Sequence, residues 1–299
     1  MRYTPKINEF IKQNLITPDK HPALYDYQFQ LHLADAPWKE WLSQPNYFDI
    51  NEEYIEEFKK WINKSKNNSI TGLECFSKTD VIIGTTQAFD EAYFRYRNRR
   101  LRIFHNEYGY HNRNINCTFL DDNGNYIPLE DNDWVILSVP FSGTGNIALY
   151  QNMLLTDAYQ KNIPVLIDCA WFGTCRNINF DFTNPAITEV VFSLSKGIGL
   201  GNMRTGLRFS NYQDGYIRQQ NNYKHLVKSN MQLGLWQMNK FSPDYVTDKY
   251  IDAYKKMCKD LDIQQTWCMH VAGYNGKLLG VRNLVKKYYK NIDQRRIIV

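Results

Sequence analysis

Apolar runs of strand length alternating with amphipathic runs of helix length predict an α/β protein, built as a three-layer α/β/α domain around a mostly parallel sheet. Three observations carry this expectation. Short, nearly continuous apolar runs recur at 80–83, 100–104, 134–139, 164–168 and 189–193, as strands buried on both faces require. Helical spacing returns between several of them, which is the pattern of parallel strands joined by crossover helices. Lastly, the polar residues with chemical potential follow closely on strand ends, where ligands bind in open α/β sheets.

Taken in order, residues 1–45 are rich in Pro and Trp, with an apolar-aromatic stretch over 24–33, and read as an irregular arm wrapping a larger body. Over 51–64, Tyr54, Ile55, Phe58, Trp61 and Ile62 recur at helical spacing, with acidic residues at the start and lysines at the end, so a helix is expected. The strand at 80–83 stops at Gly84-Thr85-Thr86-Gln87, and a helix follows over 88–97. Such a turn suits an anion, because the first N–H groups of a helix lack partners, its dipole favours negative charge, and two threonine hydroxyls add donors. Further helices are expected at 147–160, 216–236 and 243–261. The expected division is an arm at 1–45 that belongs partly to a small domain, a ligand-binding large domain at 46–225, and a reduced small domain at 226–299.

Composition narrows the function. A chain of 299 residues with 43% hydrophobic residues can bury a sizeable core, and no apolar run reaches the roughly 18 residues that cross a bilayer. The opening residues lack a signal-peptide pattern, so the cytoplasm is the expected compartment and no membrane partner is expected. Cys75, Cys117, Cys169, Cys175, Cys258 and Cys268 show neither a CxxC pair nor metal-ligand spacing, so they read as reduced thiols and no metal is expected. The basic clusters Lys59, Lys60, Lys64, Lys66 and Arg95, Arg97, Arg99, Arg100 fall where helices end, which suits the helix dipole better than a nucleic-acid surface. Gly197-Ile-Gly199-Leu-Gly201 follows the wrong kind of segment for a dinucleotide loop.

The segment Ser193-Leu-Ser195-Lys196-Gly-Ile-Gly-Leu-Gly-Asn-Met-Arg204-Thr-Gly206 resembles the lysine motif of class I and II aminotransferases, the aspartate-aminotransferase-like enzymes of fold type I that use pyridoxal phosphate. The resemblance implies that Lys196 carries the cofactor as a Schiff base, while Ser193 and Arg204 bind its phosphate. A fixed guanidinium fork supplies the paired charge that a phosphate needs. Val165-Leu-Ile-Asp168-Cys-Ala170-Trp171 resembles the family strand whose aspartate pairs with the pyridine nitrogen, which assigns Asp168 that role. Trp171 stands where the family has a tyrosine, and an indole N–H donates but cannot accept.

Three weaker similarities follow in the family's order. Gly84-Thr85-Thr86 resembles its phosphate turn, which assigns Thr85 and Thr86 to the phosphate. Glu107-Tyr108-Gly-Tyr110 resembles the segment whose aromatic residue stacks on the pyridine, here Tyr108. Pro140-Phe-Ser142-Gly-Thr-Gly-Asn146 stands in place of a turn whose asparagine contacts the cofactor's phenolic oxygen, a contact that passes to Ser142 or to Asn146. The resemblance spans about residues 80–210 and implies a homodimeric aminotransferase with an amino donor and a keto acceptor as small-molecule partners. No segment near the end matches the family's carboxylate-binding arginine, so Arg176, Arg282 and Arg295 stand as candidates. A lyase, decarboxylase or racemase on the same cofactor, or a cofactor-binding protein without catalysis, are the alternatives.

Overall fold

A computed structural model describes residues 3–18, 20–44, 49–122 and 124–296. The chain opens with α1 (Pro5–Lys12), α2 (Tyr27–Ala34), α3 (Trp38–Ser43) and α4 (Asn51–Asn63). A short strand β1 (Ser69–Thr71) leads to β2 (Lys78–Ile82), α5 (Thr85–Arg95), β3 (Arg100–Ile103), α6 (Tyr110–Asn114) and β4 (Cys117–Phe119). A small ladder, β5 (Asp121–Asp122) with β6 (Asn125–Tyr126), precedes β7 (Asp133–Ser138), α7 (Gln151–Gln160) and β8 (Val165–Cys169). Then come β9 (Asn179–Asp181), β10 (Ile187–Ser193), α8 (Leu194–Gly197), β11 (Gly206–Ser210), α9 (Tyr216–Asn222) and α10 (Lys228–Lys240). The last elements are α11 (Tyr245–Leu261), the hairpin β12 (Val271–Tyr274) and β13 (Lys277–Gly280), and α12 (Arg282–Arg296).

Seven strands form one sheet in the order β2-β11-β10-β8-β7-β3-β4, with β11 antiparallel to both neighbours and the remaining pairs parallel. Alternation along each strand sorts its side chains onto two apolar faces. Val81, Val135, Leu137, Ile167, Phe192 and Leu207 meet the core shared with α4, α7, α10 and α11. Ile82, Leu101, Ile103, Ile136, Leu166 and Val191 meet a second core completed by Ala88, Phe89 and Ala92 of α5 and Ile217 of α9. Apolar residues on both faces explain the nearly continuous runs in the sequence, and the three-layer α/β/α expectation holds.

Several elements depart from the expected pattern. The arm contains three helices rather than irregular chain. Thr4 caps α1, its Oγ1 accepting from the Ile7 N–H with Pro5 next in line, and Asp26 caps α2 by accepting from the Gln28 N–H. The helix expected over 216–236 is two helices, α9 and α10, parted by a turn in which Lys224 adopts a left-handed φ of 58°. The arm is tied down along its length. Thr17 and Gly280 exchange backbone hydrogen bonds of 2.8 Å, and buried Asp26 pairs with Lys249 at 2.6 Å while accepting from the Tyr250 hydroxyl.

The basic clusters are largely satisfied locally. Lys59 pairs with Glu56, Lys60 with Glu57, Arg95 with Glu91 and Asp214, and Arg100 with Glu130 and Asp133. Among the described residues no helix is long and apolar enough to cross a membrane, and no group of His, Cys, Asp and Glu could hold a metal ion.

Candidate active site

The carboxyl ends of β2, β3, β7, β8 and β10 open on one edge of the sheet. There Thr85, Thr86, Tyr108, Ser142, Asp168, Trp171, Ser193, Lys196 and Arg204, nine of the residues singled out in the sequence, line one cavity of about 250 Å³. Antiparallel β11 is what brings Arg204 there. Its first residue, Gly206, lies opposite Ser193 on one side and Ile82 on the other, so the residues just before it sit at the same edge as the ends of the parallel strands.

One end of the cavity collects donors. Helix α5 starts at Thr85 without a side-chain cap; the Gln87 N–H donates to the Gly84 carbonyl at 3.1 Å, which leaves the N–H groups of Thr85 and Thr86 for a ligand. Arg204 Nη2 donates to Thr86 Oγ1 at 3.1 Å and lies against Gly84, where a Cβ would come within 2.4 Å of it. Gly84 also holds a φ of 144°, which a side chain would strain. Ser193 Oγ donates to Ser195 Oγ at 2.9 Å and accepts from the Ser195 N–H. Hydroxyls, helix N–H groups and a guanidinium are donors of the kind a phosphate dianion takes.

Asp168 is buried beside these donors, its Oδ1 accepting from the Ala170 N–H at 2.9 Å. Burial pushes its pKa up to about 7; Lys196, the Ala170 N–H and Thr85 pull it down, while the charge of Glu107 adds to the rise. A carboxyl in this state lacks a full cationic partner, and the protonated ring nitrogen of pyridoxal phosphate would supply one. The Lys196 ammonium lies 5.1 Å from the Trp171 ring and 5.6 Å from the Tyr108 ring. Desolvation lowers its pKa, with Asp168 opposing and Arg204 adding to the fall. An amine kept between two aromatic rings and biased toward neutrality is suited to act as a nucleophile and a base. The donors, the buried carboxyl and the lysine together fit pyridoxal phosphate.

Of the two residues proposed for the ring-oxygen contact, Ser142 lines the cavity. Asn146 does not, because its Oδ1 accepts from the Trp267 N–H at 2.9 Å and holds that segment. Trp171 is wedged between His270, edge-on at 4.6 Å, and His21 at 6.5 Å.

Sequence reasoning missed Tyr25, Ser138 and Glu107. Tyr25 comes from the arm, and its hydroxyl donates to the Ser195 carbonyl at 3.0 Å. Gly201 makes that approach possible, since a Cβ there would lie 2.2 Å from the Tyr25 oxygen. Glu107 stands within the quoted Glu107-Tyr108 segment, yet its role needs Ser138 and Ser142 folded against it.

A second cavity of about 680 Å³ adjoins the first and shares Tyr108, Ser142, Trp171 and Lys196 with it. Its outer wall carries Arg113 of α6 and Lys277 of the β12–β13 hairpin, with His21 and His105. Arg176 and Arg282 line neither cavity, and the side chain of Arg295 lies outside the described residues.

No protein-family model matches the sequence, and no curated protein matches it in sequence. Solved structures do resemble the fold. The PLP-bound C-S lyase from Staphylococcus hominis matches with a TM-score of 0.65 at 12% identity, over 97% of this chain and 95% of that one. A PLP-bound putative aminotransferase from Clostridium difficile 630 gives 0.64 at 10% identity, over 97% and 94%. The probable N-succinyldiaminopimelate aminotransferase from Thermus thermophilus gives 0.61 at 12% identity, over 94% and 93%. The chain therefore has the fold of the fold type I pyridoxal phosphate-dependent enzymes, with its candidate site at the strand edge where its own sequence places the lysine, the aspartate and the arginine.

Proposed function

We propose that the protein is a pyridoxal phosphate-dependent aminotransferase acting on an amino acid that carries an acidic group, and that it works as a homodimer. The observation that carries this reading is the convergence of Asp168, Lys196, Ser193 and Arg204 on one cavity. When bound, the cofactor supplies an electron sink that stabilises negative charge on the substrate carbon. Arg204, Thr86, Ser193 and the first turn of α5 hold its phosphate. Asp168 would pair with the ring nitrogen and favour its protonated form. Tyr108 and Trp171 present their rings to the lysine ammonium, at 5.6 and 5.1 Å. Lys196, biased toward its neutral amine, would take the proton from the substrate's α-carbon and later give it back. Elimination would begin with the same proton removal, whereas decarboxylation would break the bond to the carboxyl group instead, and product analysis separates those outcomes from transamination.

Arg113 and Lys277 support the acidic substrate. Both are exposed on the second cavity, and neither has an acidic partner among the described residues. The test is turnover of amino acids with a keto acid acceptor in the presence of pyridoxal phosphate. Transfer of the amino group must be seen in the wild type and lost in Lys196→Ala, since a positioned proton-transfer group contributes typically ~10² to 10⁴-fold. Arg113→Ala and Lys277→Ala should raise KM for acidic donors with kcat largely kept, the signature of lost uniform binding. Faster turnover of uncharged amines than of acids would contradict the assignment of substrate.

A further inference from the structure

Glu107 is buried, stands beside the cavity, and accepts four hydrogen bonds. Its Oε1 takes the Tyr108 N–H at 2.8 Å, the Ser138 hydroxyl at 2.5 Å and the Ser142 hydroxyl at 2.5 Å, while Oε2 takes the Ser138 N–H at 2.9 Å. The Ser142 N–H in turn donates to Ser138 Oγ at 2.8 Å. One carboxylate thus binds the end of β7, the turn after it and the segment that presents Tyr108.

The pattern also dictates where the hydroxyl protons point. A serine hydroxyl has one proton and two lone pairs. The polar atoms within reach of Ser142 Oγ are Glu107 Oε1 and, at 3.4 Å, the Asn106 carbonyl, and both can only accept. The Ser142 proton is therefore committed away from the cavity that this residue lines, leaving lone pairs facing inward. Ser138 is in the same position, its proton given to Glu107. An asparagine amide in place of Ser142 would present donors.

We propose that Glu107 is a positioning residue that makes Ser142 a hydrogen-bond acceptor toward the cofactor, so that this site takes up the cofactor's ring oxygen in its protonated, hydroxyl form. The inference rests on the pyridoxal phosphate reading above. A ring oxygen that keeps its proton donates to Ser142; an ionised one would meet lone pairs, with the Glu107 charge behind them. The other titratable groups lining the two cavities are Tyr25 of the arm, Asp168 on β8, Lys196 on α8, Arg204 before β11, Tyr108 and His105 after β3, Tyr110 and Arg113 on α6, and His21 and Lys277 across the second cavity. None of them is substituted in the variants compared.

The test is a pH titration of the absorption band of protein loaded with pyridoxal phosphate, in the wild type, Glu107→Gln, Ser142→Asn and Ser142→Ala. Glu107→Gln removes the charge behind Ser142, and Ser142→Asn supplies an N–H directly. Both should lower the midpoint at which the ring oxygen loses its proton by about one pH unit or more, tenfold in that equilibrium. Ser142→Ala, which only removes the acceptor, should lower it less. A purely structural role for Glu107 would change stability and leave the midpoint where it was. Midpoints equal to wild type in Glu107→Gln and Ser142→Asn, with cofactor bound, overturn the inference alone; should Glu107→Gln fail to fold, Ser142→Asn decides. A wild type that takes up no pyridoxal phosphate overturns the cofactor reading and this inference together.

Discussion

Asp168 shows how a single residue can be poor for the fold and useful to the site. Burial raises its pKa to about 7, so the folded protein binds a proton that the unfolded chain releases near pH 4. The folded state is therefore favoured by this group at low pH, and that contribution is lost as pH rises toward 7. Asp168→Asn should stabilise the cofactor-free protein, by roughly 2–3 kcal/mol more at about pH 8 than at about pH 5, while weakening cofactor binding. Thermal melts of both proteins at the two pH values check this, and an equal effect at both would contradict it. At this scale the sequence was most legible where a reactive residue followed directly on an apolar strand, as Asp168 and Lys196 do. It was least legible where a role depends on distant chain. Tyr25 reaches the site from 170 positions before Ser195, and Glu107 acts through Ser138 and Ser142, which no local pattern connects to it.

At the scale of elements, the turn between β2 and α5 is held from behind by buried charge. Arg208 of β11 is fully buried and pairs with Asp80 of β2 at 2.7 Å and Glu91 of α5 at 2.6 Å, with Glu189 of β10 at 3.7 Å. Arg218 adds an ion pair to Asp80, and Arg95 one to Glu91. Burial raises the Glu189 pKa to about 7, and Arg208 opposes the rise. Removing one partner of a buried ionic group leaves uncompensated charge, so Arg208→Leu should destabilise the protein by about 3–5 kcal/mol. Denaturant unfolding measures it, and a loss below about 1 kcal/mol, the worth of a surface pair, would show that the network is not needed. The strands of the main sheet were legible because both faces are apolar, whereas the arm helices were hidden by their shortness. Their signals were present in Thr4 before Pro5 and in Asp26 before Tyr27. The break between α9 and α10 had no comparable sign, since Lys224 is neither glycine nor asparagine and takes its left-handed turn from tertiary context.

For the whole molecule, the arm, the sheet and the C-terminal elements share one hydrophobic cluster, in which Ile7, Leu24, Phe192, Tyr254 and Leu284 all take part. The site is assembled from the same span, from Tyr25 to Arg204, with Lys277 at the outer wall. A ligand that bridges the α5 turn, β8 and α8 would bind the folded state alone and stabilise it by mass action. The proposed reaction depends on covalent attachment of pyridoxal phosphate to Lys196 in this cavity, and the absorption spectrum of the loaded protein, wild type beside Lys196→Ala, reads that attachment out. A band near the visible edge that requires Lys196 and is bleached by an acidic amino donor is the expected result. No such band in the wild type, or the same band in Lys196→Ala, would contradict the attachment.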